Sequence, residues 1–166
     1  NGTDYRLERL QSMDVFLTPN GADTATKLER AFDELSIGMP SQPRKLQVNG
    51  REVDVPRAAE GVAYVNFIDL CGQPLGPGDY LAFAEYFHTL VLADIPLKGP
   101  AKRDQAKRFV TLIDALYDAK VKLVCSAEAG PTKLYTEGDG AFEFERTTSR
   151  LIEMQSPEYM ALPHRG

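Results

Sequence analysis

Apolar residues recur along this chain at two different periods, and the places where the period changes mark out its elements. From Asp23 to Leu35, the residues Leu28, Ala31, Phe32 and Leu35 fall at helical spacing. Asp23 or Thr24 is available as a cap and Gly38-Met-Pro40 as a stop, which predicts one amphipathic helix. Between Lys45 and Val55 the pattern is that of two short strands around Asn49-Gly50, a pair suited to a type I′ turn. Pairing across that turn sets Leu46 opposite Val53 on one face and Lys45 opposite Asp54 on the other. The polar outer face places this hairpin at the periphery of the domain.

From Gly61 the pattern becomes strand, helix, strand, helix, strand. Val62 to Leu70, Thr89 to Ile95 and Val121 to Ala127 are near-continuous apolar runs, as expected of parallel strands covered on both faces. A helix near Asp79 follows the first run. A longer one, about Arg103 to Ala119, carries Ala106, Phe109, Val110, Ile113, Leu116 and Tyr117 on one side and spaces Asp104 to pair with Arg108 on the other. The fold class this predicts is α/β, a parallel sheet of P-loop NTPase-like βαβαβ type with a peripheral β-hairpin and short C-terminal helices. Within one globular domain, 1–60 reads as a helix and hairpin element and 61–166 as the βαβαβ unit with its helical end. In that end, Ala141-Phe-Glu-Phe-Glu145 reads as a short strand, a capped helix starts near Thr148, and Ser156-Pro157 opens another.

Candidate chemistry begins at the turn Cys71-Gly-Gln-Pro-Leu-Gly-Pro-Gly78 between the first run and its helix. It has the layout of a phosphate loop without the lysine: Gly72, Gly76 and Gly78 do not follow G-x-x-x-x-G-K-[ST], and Asp79, an acid, comes next. A carboxylate there repels a triphosphate, so this chain has no equipment to grip a nucleotide alone. Asp94 ends its apolar strand as a magnesium-binding aspartate does, but without the usual glutamate after it, and a carboxylate there more often caps the next helix or binds a loop amide. Ser126 stands either where a γ-phosphate sensor would lie or where a strand end satisfies a turn.

Arg146 and Arg150, four apart at the expected helix start, are candidate arginine fingers or sensors, because two cations at a helix N-terminus oppose its dipole. The competing reading pairs them with a carboxylate such as Glu153 or Glu145. The basic set Lys98, Lys102, Arg103, Lys107 and Arg108 reads either as a solvated helix face or as a surface for an acidic partner. His88 reads as a satisfied, partly buried histidine.

Composition narrows the field. With 166 residues, 43% of them apolar, the chain can bury one sizeable core, and a net charge of −5 argues against nucleic acid as a partner. Two distant cysteines, Cys71 and Cys125, suit a reducing compartment, two histidines without acidic neighbours give no zinc site, and no apolar run is long enough to cross a bilayer.

Several stretches taken together resemble one family. They are Asp4-Tyr-Arg-Leu7, Gly50-Arg51 with Val53 to Pro56, Phe67-Ile-Asp-Leu-Cys-Gly-Gln-Pro-Leu-Gly76 into Asp79-Tyr80, Phe87-His88 with Asp94-Ile-Pro96, Lys107 to Asp114, Val121-Lys-Leu-Val124 with Ser126-Ala127, and Phe142 to Leu151 into Glu153-Met-Gln-Ser156. From about Asp4 to Tyr159 this is similar to the C-terminal half of the ZapE, or AFG-one-like, P-loop ATPases. The joint occurrence of Asp-Leu-Cys-x-x-Pro-Leu and Ser-Arg-Leu-x-Glu-Met-x-Ser is the specific part of the match.

The resemblance implies an AAA+-like ATPase whose Walker motifs and first sensor precede this segment, with ATP and Mg bound in the full-length parent and none expected for this chain alone. It implies protein partners, FtsZ at the bacterial division ring or membrane-protein clients in mitochondrial quality control, and a candidate homo-oligomer of the parent. The implied location is cytoplasmic, at the periphery of the inner membrane, or mitochondrial in a eukaryote. Arg146 and Arg150 are the residues that carry over, as nucleotide-sensing or finger arginines. The alternative reading is a non-catalytic protein-interaction module built on a degenerate nucleotide-binding scaffold.

Overall fold

A computed structural model describes residues 2–48, 50–97, 103–135 and 141–165. The elements run α1 (Gly2–Ser12), β1 (Phe16–Leu17), α2 (Ala22–Leu35), β2 (Gln42–Val48), β3 (Arg51–Ala59), β4 (Val62–Asn66), α3 (Phe67–Cys71), α4 (Pro77–Tyr86), β5 (Thr89–Ile95), α5 (Arg103–Ala119), β6 (Lys122–Ala127), α6 (Ala141–Glu153) and α7 (Pro157–Met160). All six strands join one sheet in the order β1-β6-β5-β4-β3-β2. The strands β1, β6, β5 and β4 pair in parallel, while β4-β3 and β3-β2 are antiparallel. This is the expected α/β fold with a mostly parallel sheet.

Residue alternation in the central strands explains why they lack a polar face. In β5, Leu90 and Leu92 belong to one apolar cluster and Val91 and Ala93 to the other; in β6, Leu123 and Cys125 oppose Val124 in the same way. One cluster is covered by α3, α4, α5 and α6. The other lies under α2, with Leu10 of α1 and Met160 of α7 completing it. Helix α2 spans Ala22–Leu35 with Leu28, Ala31, Phe32 and Leu35 buried as the spacing predicts, although Gly21, not Asp23 or Thr24, occupies its cap position. A forked ion pair holds α2 to β3: Arg57 donates to both oxygens of Glu29 at 2.6 and 2.8 Å and lies over the Tyr64 ring at 4.5 Å. Glu29 is accordingly held below the usual carboxylate range, chiefly by that hydrogen bond.

The hairpin forms in the expected register, Leu46 opposite Val53 and Lys45 opposite Asp54, and supplies the β2 edge of the sheet. Asn49 of its turn lies outside the described residues, and Gly50 takes φ 81, which favours glycine.

Two segments differ from the sequence expectation. The run Val62 to Leu70 is a strand only as far as Asn66. There the Asn66 side chain accepts from the Ile68 amide at 3.1 Å and starts α3, burying Phe67, Leu70 and Cys71 on one side. The segment from Ala141 to Glu145 is helix, not strand, and continues without a break through Thr148. Phe142 and Phe144 look like a period of two, but Phe142 is 83% exposed while Phe144, Thr147, Leu151 and Met154 are buried at helical spacing. The short helix opened by Ser156-Pro157 is present, with the Ser156 hydroxyl accepting from the Tyr159 amide at 3.1 Å.

Helix α5 covers Arg103–Ala119 as expected, and Phe109, Ile113 and Leu116 are fully buried. Phe109 meets the Phe67 and Phe144 rings at 5.8 and 6.0 Å, so it joins α3, α5 and α6 in one aromatic contact. Replacing Phe109 with Ala is expected to cost about 3–5 kcal/mol as a large-to-small core change, measured by urea unfolding. A loss under about 1 kcal/mol would contradict the packing described.

Candidate functional site

The glycine-rich turn occupies the gap between α3 and α4, so it does not spring directly from a strand end. Gly72 is required by crowding: a Cβ there would lie 2.5 Å from the Ile68 side chain and 2.6 Å from its carbonyl oxygen. Gly72 donates to that carbonyl at 3.0 Å and closes α3. At the far end of the turn, the N-terminus of α4 already holds an anion. Asp79 is 1% exposed, and its Oδ2 accepts from the Gly76 amide at 2.8 Å. Arg51, from the start of β3, brings Nη2 to 2.8 and 2.7 Å from the two Asp79 oxygens. Tyr80 fixes the turn from below, donating to the Leu70 carbonyl at 2.7 Å, and burial pushes its phenol well above the usual range. The position a phosphate would take in a working loop is filled by the protein's own carboxylate and its arginine, and the residues present do not fit ATP.

The second constellation lies at the C-terminal ends of the parallel strands. Asn66 of β4 donates from Nδ2 to Asp94 Oδ2 at 2.9 Å, and the Asp94 amide donates to Ser126 Oγ of β6 at 2.9 Å. Asp94 has φ 64, a left-handed conformation held by this pairing, and its side chain is exposed. Asn20, in the loop after β1, donates from Nδ2 to the Ile95 carbonyl at 3.0 Å. Asp94 and Ser126 therefore bind neighbouring strands together.

Arg146 and Arg150 meet at a third place, the seam between α5 and α6. Both reach Asp114 of α5: Arg146 Nη2 lies 3.3 Å from Oδ2, and Arg150 donates from Nη1 to Oδ1. Arg150 also covers the Tyr117 ring at 4.8 Å, and the Tyr117 hydroxyl donates to both oxygens of Glu153 at 2.9 and 2.8 Å. That bond raises the Tyr117 phenol above its ordinary range. Because α6 begins at Ala141, the two arginines lie in its body and last turn, where the helix dipole tolerates or favours cations. The expectation of uncompensated charge at a helix start is corrected by this placement. Asp114 is the partner carboxylate, in place of Glu145 or Glu153; it sits on a different element and could not be paired from spacing.

The remaining candidates divide simply. Arg108 donates to the Cys71 carbonyl at 3.2 Å, tying α5 to α3, while Arg103 and Lys107 line a cavity of about 300 Å³ with Tyr135 and Phe144. Lys98 and Lys102 lie outside the described residues. His88 bonds Thr89 Oγ1 through Nδ1 at 2.8 Å and the Glu60 carbonyl through Nε2 at 2.8 Å, as a satisfied histidine should. Its ring would collide with any Cβ at Gly61, 2.5 Å away. Cys71 and Cys125 are both buried thiols. Among the described residues no helix is long and apolar enough to cross a membrane.

Comparison with known proteins gives a consistent picture. Residues 1–163 match the model of the AFG1-like ATPase family. The chain is 34% identical over 163 residues to the cell division protein ZapE of Escherichia coli strain K12, covering 98% of this chain and 44% of that protein. It is 32% identical over 193 residues to lactation elevated protein 1 homolog B of Danio rerio, covering 95% of this chain and 38% of that protein. The chain thus spans less than half the length of these curated relatives. No solved structure matches.

The joint at Asp79 can be measured by a double-mutant cycle. Arg51→Ala leaves a buried carboxylate with the Gly76 amide alone and is expected to cost about 2 kcal/mol in urea unfolding. Adding Asp79→Ala should then cost less than it does in the parent background, a coupling of at least about 1 kcal/mol. Additive effects would show that the two side chains act independently.

Proposed function

The chain belongs to the AFG1-like ATPase family, and from that premise we propose that it is one part of an ATP hydrolase that couples nucleotide turnover to work on protein partners. The observation that carries this reading is the family match across nearly the whole chain, joined to a fold of the P-loop NTPase kind. In the reading, the parent grips ATP and Mg with residues outside this chain. Two features support that: no G-x-x-x-x-G-K-[ST] occurs in the sequence, and Asp79 with Arg51 fills the glycine-rich turn. The segment described here is the partner half, and by itself it turns over no ATP.

The proposed client is a protein of the bacterial division ring, in the cytoplasm, supported by the name of the Escherichia coli relative, "Cell division protein ZapE". Within this half, Arg146 and Arg150 are the proposed nucleotide-responsive residues. Arg146 suits the role best, because its side chain is 64% exposed while its Nη2 reaches Asp114 at 3.3 Å. Arg150, 23% exposed and seated on Asp114 and Tyr117, anchors the seam from which Arg146 projects.

Steady-state hydrolysis by the full-length parent tests this. Arg146→Ala is expected to lower ATP turnover by about tenfold or more with little change in nucleotide affinity, since such an arginine acts on charge that develops during transfer. Arg150→Ala should lower turnover and also the melting temperature. Parental turnover in either variant that also melts like the parent would reduce that arginine to a structural ion pair with Asp114.

A further inference from the structure

At the opposite end of the parallel strands from Asp94 lies a cavity of about 350 Å³ that none of the chemistry above uses. Its floor is the start of β5 and β6, with Thr89 and Lys122. One wall is α1, with Arg6, Leu7 and Leu10, and the other is the segment from Met160 to His164. The volume lies within the range of small-molecule sites, and the walls combine apolar side chains with a few polar groups, as such sites do.

The charge in this cavity has one sign. Arg6 and Lys122 supply it, the imidazoles of His88 and His164 also face the cavity, and none of the described residues that line it is acidic. This occurs in a chain with five more acidic than basic residues. Lys122 is 8% exposed, and its ammonium donates to two carbonyls, Lys120 O and Leu162 O, both at 2.6 Å. Those carbonyls and the Tyr159 ring, 4.9 Å away, orient the ammonium without neutralising it. Burial is the first cause of the shift at both Lys122 and His88. Burial first, and neighbouring Lys120 second, push Lys122 down to about 8. His88 is lowered by burial and, beyond that, by Arg6, His164 and Lys122. The His164 ring stands 6.4 Å from that of His88, its Nε2 committed to the Ala84 carbonyl at 2.7 Å. Arg6, His88, Lys122 and His164, from four separate segments of the chain, thus converge on one partly apolar hollow.

We propose that this cavity binds a small amphipathic anion: a single carboxylate or phosphate head on a compact apolar body. The head sits between Arg6 and Lys122, and the body lies against Leu7, Leu10 and Met160. Because α1, the strand starts and the segment from Met160 to His164 all line the cavity, a ligand there braces α1 and that segment against the sheet. This site is independent of the nucleotide chemistry proposed above.

The test is a titration of the 166-residue chain at low salt with hexanoate, with hexyl phosphate and with neutral hexanol, followed by amide and imidazole NMR shifts. Saturable shifts at His88, Thr89 and Leu162 are expected for the anions, at least about tenfold tighter than for hexanol, because a charged head gains hydrogen bonds that a hydroxyl does not. The tighter of the two anions identifies the head group. Arg6→Gln, a half-exposed position on α1, is expected to weaken the anions at least about fivefold and leave hexanol unchanged. Lys122→Met, which keeps the length of the side chain, should do the same. Hexanol binding as tightly as the anions, anion affinity unchanged in Arg6→Gln, or shifts confined to other parts of the protein would each overturn the proposal.

Discussion

A buried carboxylate organises the α4 side of this molecule. Asp79 sits at the N-terminus of α4, caps it through the Gly76 amide, and is held by Arg51 from the hairpin. Without a partner, a carboxylate at 1% exposure would be costly. With one, it fixes the start of α4, the outlet of the glycine-rich turn and the position of β3 at once. The same groups that make a helix N-terminus attractive to phosphate are here satisfied internally, so a layout that reads as nucleotide binding serves as a structural joint.

The other candidate groups are kept apart by the sheet. Asp94, Asn66 and Ser126 stitch the C-terminal ends of β4, β5 and β6 to one another. Arg146 and Arg150 share Asp114 on the seam of α5 and α6, within the helical layer of one face. The basic cavity opens at the N-terminal ends of β5 and β6, against α1. Nothing draws these three sets into one catalytic constellation, in keeping with a chain that belongs to an ATPase family and spans less than half of its relatives.

Where a local pattern had one explanation, it was legible in the residues. Asn49-Gly50 between alternating runs fixed the hairpin register to the residue, and the spacing of Phe109, Ile113 and Leu116 fixed the face of α5. Where two periods fitted, the shorter misled. Phe142 and Phe144 alternate like a strand, but Phe144, Thr147 and Leu151 continue at helical spacing. Asn66 could have been recognised as a cap for Phe67, Leu70 and Cys71, which lie three and four apart. The links between distant elements left no local signal at all. Arg51 to Asp79, Arg146 and Arg150 to Asp114, and the convergence of Arg6, His88, Lys122 and His164 depend on how the layers stack. β1, two residues long, is too short to show a period.

The most direct test of the account is calorimetric titration of MgATP into the 166-residue chain, with the full-length parent as the positive control. The internal anion at Asp79 predicts no saturable binding by this chain at nucleotide concentrations that saturate the parent. Saturable binding with a dissociation constant in the micromolar range would contradict it, because Asp79 and Arg51 would then have to yield their places to a phosphate.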